Sequence, residues 1–424
     1  MESRILPPQQ QHSRGFSLIE LLVGMAIGLI TVVVILQVLG IAEGFKRTTT
    51  TGSDAQTNGI MALRTLESEV RMAGYGLTRA GSLACPRIRT WYNPSCSGGS
   101  TPFNYLDIES LVLITDGGSN GVSDTIQVTY SSSDQGYSPM TIVNIPSGSS
   151  NVTKMVSTAG LKECQKVLYA SNDGTQDCTM LQITNIAGNN VNFTTASGQN
   201  NSCYNPSGGL MDSAFGPSQT PPLPVIDFAS YKVLINMGDW VIRQYSVTKT
   251  SGKDEFFLHR KDLSSPTNDG CATAGEDTTP PDLDLYSNIV NIQAQYGVAE
   301  ANSQTVTCWT DAVDKTGSAS VPAHCQADWT PAGMTPANAK RIKAVRVAVV
   351  VRSALSERPS AGTTCDTTTT APVAWNTPST TLNAAPTIDL SAGGTTVAVP
   401  NWQCYRYKVY QSVIPLINVL WSNS

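Results

Sequence analysis

Residues 15–42, GFSLIELLVGMAIGLITVVVILQVLGIA, decide how this chain is organised. From Leu21 to Ala42 no residue is charged, and these 22 positions make a helix about 33 Å long at 1.5 Å per residue. That length spans a bilayer core of roughly 30 Å. Glu20 is the charged residue that stands at the beginning of the apolar run. The segment therefore predicts a membrane helix with an acidic group in its first turns.

Three interpretations of the segment compete. A secretory signal peptide cut after Ala42 has small residues at suitable positions, but its apolar run is longer than the usual run of about 7–15 residues. A plain signal anchor explains the length and leaves Glu20 unexplained. Cleavage between Gly15 and Phe16 keeps the helix and creates an α-amino group about 6 Å along the helix from Glu20. A carboxylate near hydrocarbon costs on the order of 3 kcal/mol without a partner, which favours this third interpretation.

The motif from Gly15 to Glu20, followed by the apolar run, resembles the type IV prepilin signature of pilins and secretion pseudopilins. The resemblance implies cleavage after Gly15 by a prepilin peptidase, N-methylation of Phe16, and subunit assembly through Glu20. In a staggered bundle, Glu20 of one copy would neutralise the Phe16 amine of its neighbour. Major pilins commonly have proline where this chain has Gln37, which weakens the case for a main shaft subunit.

Within the apolar run, Gly24 and Gly28 form a Gly-x-x-x-Gly pair. Small residues at this spacing allow membrane helices to approach closely. We expect this face to take part in helix packing.

The stretch after Ala42 is polar, and the run Thr48–Thr51 predicts a break in the helix. A capping box predicts a restart at Ser53, and glycines at 74 and 76 predict the end. The restarted helix has one apolar stripe, which predicts packing against a sheet; the stripe comprises Ile60, Leu63, Leu66 and Val70.

Beyond residue 81 the pattern is typical of β-strands between turn clusters. The segment Ile342–Arg352 is nearly continuous in apolar residues and predicts a central strand. Further strands are expected at 110–115, 125–130, 180–186, 191–195, 231–235, 240–248, 256–260, 289–296 and 402–414. The last should place Tyr405, Tyr407, Val409 and Val413 on one face and Arg406 and Lys408 on the other.

The fold class predicted is α+β, with a long N-terminal hydrophobic, pilin-like helix leading into a disulfide-rich, mainly antiparallel β head. Its expected parts are a leader (1–15), a transmembrane and assembly helix (16–42), a second part of the N-terminal helix (43–80) and a globular head (81–424) with room for two subdomains.

Ten cysteines, none in the first 84 residues and none in a Cys-x-x-Cys pair, favour disulfides in an oxidising compartment over metal binding. Long loops at 199–224, 264–284, 310–340 and 355–398 would need such covalent restraint. Closure between nearest neighbours gives one of many pairing schemes: Cys85–Cys96, Cys164–Cys178, Cys203–Cys271, Cys308–Cys325 and Cys365–Cys404.

Further segments resemble one branch of the pilin superfamily, the PilW-type minor pilins. They are residues 53–76, 288–298, 344–353 and 405–421, and Ile417 stands where that branch would have arginine. The resemblance implies a minor pilin of a type IV pilus, placed in a tip or priming complex that initiates assembly. The alternatives are a type II secretion pseudopilin and a tip adhesin or other binding module.

The implied partners are other minor and major pilins, the prepilin peptidase, the inner-membrane assembly platform and a tip adhesin. The implied location is the inner membrane, with one pass, before assembly, and then the pilus, with the head in the periplasm or outside the cell. Contact with the membrane is expected before assembly, and the roles suggested by this class include adhesion and motility.

No nucleophile elbow, P-loop, dinucleotide fingerprint or zincin motif occurs in the sequence, so we expect neither an enzyme nor a cofactor. Neither His259 nor His324 is paired in sequence with a nucleophile. The loop Asp116–Asp124 partly matches a calcium loop, but Gly118 supplies no ligand at its third position, and we expect a turn and no metal. A net charge of −5 argues against nucleic acid, although basic residues cluster near 341–352.

Overall fold

The computed structural model describes the chain in segments: residues 17–79, 82–83, 88–90, 104–106, 111–118, 121–135, 138–144, 152–171, 177–193, 205, 231–263, 282–319, 321–357, 365–375, 385–391, 399 and 401–421. The chain divides into two compact units, Met1–Ser53 and Asp54–Ser424. The predicted α+β class is confirmed, because an apolar N-terminal helix is followed by mainly antiparallel sheets.

Helix α1 comprises Leu18–Met72, so the break predicted at Thr48–Thr51 is wrong. Threonine in a helix costs no more than about 0.7 kcal/mol per residue relative to alanine, too little to end a helix by itself. The helix ends where expected: Gly74 and Gly76 have φ of 79° and 74°, a conformation that glycine adopts without strain. A turn at residues 73–77 and a short strand at Thr78–Arg79 follow the helix.

Among the described residues, twenty strands and two short α-helices follow α1. The strands before residue 200 are β1 (Thr78–Arg79), β2 (Ser82–Leu83), β3 (Ile88–Thr90), β4 (Asn104–Leu106), β5 (Val112–Thr115), β6 (Thr125–Ser131), β7 (Pro139–Asn144), β8 (Val152–Met155), β9 (Lys166–Ser171), β10 (Cys178–Gln182), β11 (Asn185–Ala187) and β12 (Asn190–Asn192). The later elements are β13 (Tyr231–Gly238), β14 (Trp240–Lys249), β15 (Phe256–Asp262), β16 (Asp282–Ser287), β17 (Ile289–Ala299), β18 (Val306–Thr310), α2 (Pro336–Ala339), β19 (Ile342–Arg352), β20 (Tyr407–Pro415) and α3 (Ile417–Trp421).

Most strands belong to three larger sheets. Their orders are β11-β12-β8-β7-β13-β9-β10-β3-β4, β16-β15-β14-β6-β5 and β18-β17-β19-β20, and β1 pairs with β2 alone. Almost all neighbours are antiparallel; β10 and β3 are parallel. The prediction that Ile342–Arg352 is a central strand is confirmed, because β19 lies between β17 and β20 and all its residues are buried.

Residues 54–72 of α1 cover the sheets with the predicted apolar stripe. Leu66 and Val70 are fully buried in the main core, together with Ala62, while Leu63 is half-buried and Ile60 is exposed. Gly59 lies so close to β20 that a Cβ atom built on it would be 2.5 Å from Cδ2 of Tyr410. The helix therefore approaches β20 at a point where a side chain larger than hydrogen has no room.

The central strands β9 and β10 of the nine-stranded sheet are buried on both faces. In β9, Leu168 and Ala170 join the main core, whereas Val167 and Tyr169 belong to a second core. The second core is formed by residues between positions 142 and 234, and the strands β7, β8 and β9 that contribute to it were not predicted. These strands are short, four to six residues, and none shows the regular apolar-polar alternation on which strand prediction depends.

Two of the five expected disulfides lie within the described residues, Cys308–Cys325 and Cys365–Cys404. Cys164 and Cys178 are also disulfide-bonded, and their bond to each other stays a prediction. The remaining candidates, Cys85, Cys96, Cys203 and Cys271, lie outside the described residues.

Gly59→Ala should destabilise the fold by about 1–3 kcal/mol, because the new methyl group overpacks the contact with Tyr410. Gly52→Ala is the matched control: it is in the same helix, and nothing lies within 4 Å of its added Cβ. Alanine is the better helix former, so the control should be neutral or stabilising. Thermal unfolding measures both, and equal melting temperatures would contradict the close approach.

The double variant Cys365→Ala/Cys404→Ala should lose about 2–4 kcal/mol of stability, because this disulfide closes a loop of sequence separation 39. Urea unfolding of the oxidised wild-type protein and the variant measures the loss. A variant as stable as the wild-type protein would show that other contacts alone restrain the segment between the two cysteines.

Candidate assembly helix and its junction with the head

Glu20 folds back on the start of α1. Its Oε2 atom accepts a hydrogen bond from the backbone N–H of Ser17, at 3.0 Å. The first N–H groups of a helix have no partner within the helix, and a carboxylate in the first turn also complements the helix dipole. Gly15 and Phe16 lie outside the described residues, so the predicted cleavage site and the contact of Glu20 with a neighbour's amine stay predictions.

The segment Leu18–Gly40 has the length and composition of a membrane span, with a mean hydropathy of 2.7 and none of its residues buried. Thr31 donates its hydroxyl to the carbonyl of Ile27, at 2.8 Å, which satisfies this polar group within the helix. A Cβ built on Gly24 or Gly28 meets no atom within 4 Å. The apolar surface, including the Gly-x-x-x-Gly pair, is thus open to lipid or to other helices.

One flank of α1, within residues 54–72, is tied to the five-stranded sheet by an ion pair. Glu69 Oε1 lies 2.7 Å from Nη1 of Arg243, and Oε2 accepts a hydrogen bond from the hydroxyl of Tyr130, at 3.1 Å. The same arginine donates to the Tyr130 oxygen, at 2.8 Å. Burial, and secondly the Glu69 charge, raise the pKa of Tyr130 to about 12, so the phenol keeps its donor proton.

The other flank of α1 is tied to the four-stranded sheet and its tail. Ser412 on β20 donates its hydroxyl to Glu67, and Asn418 on α3 donates its side-chain N–H to the last carbonyls of α1. These carbonyls belong to Arg71, Met72 and Ala73, at 3.3, 3.4 and 2.9 Å. Neither glutamate belongs to the apolar stripe, and the sheets on the two flanks supply their polar partners beside the core.

The basic residues that cluster near 341–352 do not form an exposed patch, because Lys343, Arg346 and Arg352 are buried. Arg346 is 4% exposed: its guanidinium lies 5.0 Å from the ring of Trp309 and 4.6 Å from that of Trp375, and Nε donates to Gln295. Lys343 is also buried, which lowers its pKa. The two tryptophan rings come from strand β18 and from a loop. The periodicity of β19 alone therefore does not predict that Arg346 is enclosed.

Arg352 is 2% exposed and is enclosed in the same manner. Its guanidinium lies between the rings of Phe256 and Tyr405, at 4.7 and 4.1 Å, and Nη1 forms an ion pair with Asp254 at 2.9 Å. The hydroxyl of Tyr405 donates to the same carboxylate, at 2.8 Å. A buried charge needs such partners. These cations stabilise the head, and among the described residues they offer no surface to nucleic acid.

The loop considered for calcium is a turn between two paired strands. Thr115 on β5 is opposite Thr125 on β6, and Asp116 accepts the N–H of Gly118 at 2.6 Å. Asp124 uses both carboxylate oxygens on backbone donors, the N–H groups of Gly117 and Ala294, at 2.9 and 2.8 Å. Asp124 therefore joins the turn to β17; Asn120 lies outside the described residues.

The histidines have structural partners. His259 contacts the carboxylates of Asp282 and Asp284 on the neighbouring strand β16. Nε2 of His324 lies 2.6 Å from the hydroxyl of Thr307. The side chains of Cys308, His324 and Cys325 are close enough to hold a metal, but the two sulfurs are bonded to each other and are not thiolates.

Two family models match the chain. One, described as Type IV Pilus-assembly protein W, matches residues 244–418, which begin within β14 and end within α3. The other, the prokaryotic N-terminal methylation motif, matches residues 10–36 around Glu20. Both matches support a type IV pilin-like minor pilin. A search of curated proteins and a search of solved structures each found no match.

The minor-pilin class agrees with the geometry. Pilin-family domains are structural and not enzymatic, and the family suggests interaction with other pilus components. The apolar helix and the methylation motif fit a membrane-anchored pilin before assembly. Strands β1–β13 lie outside the residues matched by the pilus-assembly family, and none of the segments that resembled PilW-type pilins falls there.

Glu69→Ala should cost about 1–3 kcal/mol, because it leaves Arg243 and the Tyr130 hydroxyl without their partly buried partner. Arg243→Ala should cost a similar amount, and the double variant should cost less than the sum, since both lose one interaction. Chemical unfolding of the three variants measures this coupling. Glu255→Ala is the control, because its pair with Lys253 is largely exposed and should contribute little. Additive effects at Glu69 and Arg243 would rule out the coupled network.

Asp311→Asn should change how stability depends on pH. Burial raises the pKa of Asp311, whose carboxylate accepts a hydrogen bond from Gln295 at 2.6 Å. A pKa raised on folding gives stability that is present below the unfolded-state pKa and is lost as pH rises through the folded-state pKa. The variant lacks this loss, so its melting temperature relative to wild type should increase from pH 4 to pH 7. A difference that stays constant over this range would contradict the raised pKa.

Proposed function

We propose that this chain is a minor pilin that is processed after Gly15 and incorporated through its N-terminal helix into a type IV pilus, in the tip or priming complex. The observation that carries the proposal is the placement of Glu20, an acidic residue at the start of an otherwise apolar and fully exposed membrane-length helix. The matched models favour a pilus over a secretion machine, because the larger one describes a pilus-assembly protein.

Glu20 has capacity for an additional partner. Ser17 donates to Oε2, and no described residue donates a hydrogen bond to Oε1. Cleavage after Gly15 would make Phe16 the N-terminal residue, with a methylated amine that still carries a positive charge. In a bundle of such helices, the Phe16 amine of one subunit would lie near Glu20 of the next. Pairing would offset a cost on the order of 3 kcal/mol for a carboxylate near hydrocarbon.

A place at the tip follows from the need of the Glu20 carboxylate for a neutralising partner. The first subunits of a fibre lack neighbours that neutralise Glu20, so a complex of minor pilins would lower the barrier to initiation. The prepilin peptidase, the inner-membrane assembly platform and the other minor and major pilins are the partners this role requires. The head also carries a nine-stranded sheet, a bulk that suits a terminal position better than a closely repeated shaft.

The second core favours a head with two subdomains, and it favours adhesion as a second role. Ten described residues between positions 142 and 234 form this core outside the matched family region, and none of them belongs to α1. The side of the sheet that carries the second core contains no residue that packs on the helix, so it is free to serve a surface ligand. Cell adhesion by a strain that assembles pili with this core deleted would separate the two roles.

The intact mass and N-terminal sequence of the protein from native membranes test the processing step. A mature chain that begins at N-methylated Phe16 is expected. A chain that begins at Glu43 would mean a secreted domain without its helix, and the assembly role would be wrong.

Glu20→Ala should leave membrane insertion intact and reduce incorporation into pili at least about tenfold, since the lost pairing exceeds 1.4 kcal/mol. Immunoblots of sheared pili and of membranes measure the two quantities. Gln37→Ala is the matched control, a polar-to-alanine change in the same helix with no proposed partner. Normal incorporation of the Glu20 variant would refute the pairing.

A further inference from the structure

Strand β20 is an edge strand of the four-stranded sheet, and its hydrogen-bonding register shows which residues face outward. Leu416 N–H bonds to the carbonyl of Lys343, and Ser353 N–H bonds to that of Arg406. In an antiparallel ladder the bonded pairs alternate, so even-numbered residues of β20 bond to β19. The N–H and C=O groups of the odd-numbered residues therefore point away from the sheet; they are Tyr407, Val409, Gln411 and Val413.

These outward groups form an open edge within the described part of the chain. No described backbone group bonds to them, although the side chain of Gln411 accepts the N–H of Trp375 at 2.8 Å. Unpaired strand edges are templates for another extended chain. The edge is nine residues long, enough for a full strand.

The two sides of this edge differ in chemistry. On one side lies the flank of α1 next to Glu67, which contacts Ser412. At 100° per residue, Ile60, Arg64 and Arg71 share this flank and are exposed. Neither arginine forms an ion pair with a described carboxylate.

The opposite side is apolar. Val413 is 51% exposed and is paired with Arg346, whose guanidinium stacks on Trp375, and Val373 nearby in the sequence is 61% exposed. The exposed side chain of Val413, beside the open strand edge, extends the apolar surface that a docked strand would cover.

We propose that the open edge of β20 binds a β-strand of another protein chain, with acidic side chains alternating with apolar ones. The alternation of a strand would place the acidic residues toward Arg64 and Arg71 and the apolar residues toward Val413. A second copy of this chain is a poor occupant, because a two-fold contact would bring the same arginines together with those of the partner. The inference rests on the sheet edge and not on the proposed assembly role.

The test uses the full chain in detergent micelles and a fluorescent nine-residue peptide of alternating glutamate and valine. Anisotropy should show saturable binding, and a peptide of alternating lysine and valine should not bind. Val409→Pro removes an outward N–H and no bond to β19, a position that edge strands tolerate. It should weaken binding about tenfold, the loss expected from one backbone hydrogen bond and the local distortion.

Arg64→Glu/Arg71→Glu tests the charge and does not touch the sheet. It should weaken binding of the glutamate peptide and reverse the preference between the two peptides. Lys154→Glu, an equally exposed charge reversal on β8, should leave binding unchanged. Circular dichroism confirms that each variant folds.

Hydrogen exchange provides a measurement that does not depend on these variants. The amides of Tyr407, Val409, Gln411 and Val413 should exchange rapidly in the free protein and slowly with peptide bound, while even-numbered amides stay protected. Protection of the odd-numbered amides in the free monomer would mean that this chain covers its own edge. Dimers that Val409→Pro dissociates would mean a second copy occupies it. Either result, or absence of peptide binding, overturns the proposal.

Discussion

The head depends on burial of the apolar stripe of α1 between residues 54 and 72. Ala62, Leu66 and Val70 are fully excluded from water, and two sheets converge on them. Apolar burial of this kind contributes about 1.5–3 kcal/mol for each large side chain. The polar contacts on both flanks then determine how the helix lies: Glu69 is bonded to the five-stranded sheet and Glu67 to β20. Removing the stripe would leave both sheets with an uncovered apolar face.

The composition of α1 changes along its length in a way that suits two environments. Residues 18–40 are apolar on every side, as a helix in lipid must be. Residues 54–72 have one apolar face, as a helix on a protein core must have. The threonine-rich stretch between them was predicted to break the helix, but the helical hydrogen bonds continue through it. Low propensity weakens a helix only by tenths of a kcal/mol per residue, so it marks a change of environment here and not an end.

The elements predicted correctly are those in which the polarity of the element's own residues is enough to predict whether they are buried. Strand Ile342–Arg352 was predicted with its observed bounds because its apolar residues are nearly continuous, and Glu20 was identified by its conflict with its surroundings. Arg346 and Arg352 show the limit of such reasoning: their charge predicts exposure, and only the meeting of Trp309, Trp375, Phe256 and Tyr405 makes burial tolerable. Strands β7 to β9 were missed because each is only four to six residues long and none alternates regularly between apolar and polar residues. Periodicity carries no information about partners that are distant in sequence.

The limits of the family match divide the head in a physically meaningful way. Strands β15 to β20, within residues 244–418, bury the helix stripe and enclose the two arginines, so their sequence is constrained by contact with α1 and by each other. The second core, between positions 142 and 234, contains no residue of α1 and neither of the two arginines. One face of its sheet packs on the main core, and the opposite face packs only on the second core. A module with that freedom can change its outer surface without disturbing the junction with the helix, which is where new binding specificity would arise at least cost in stability.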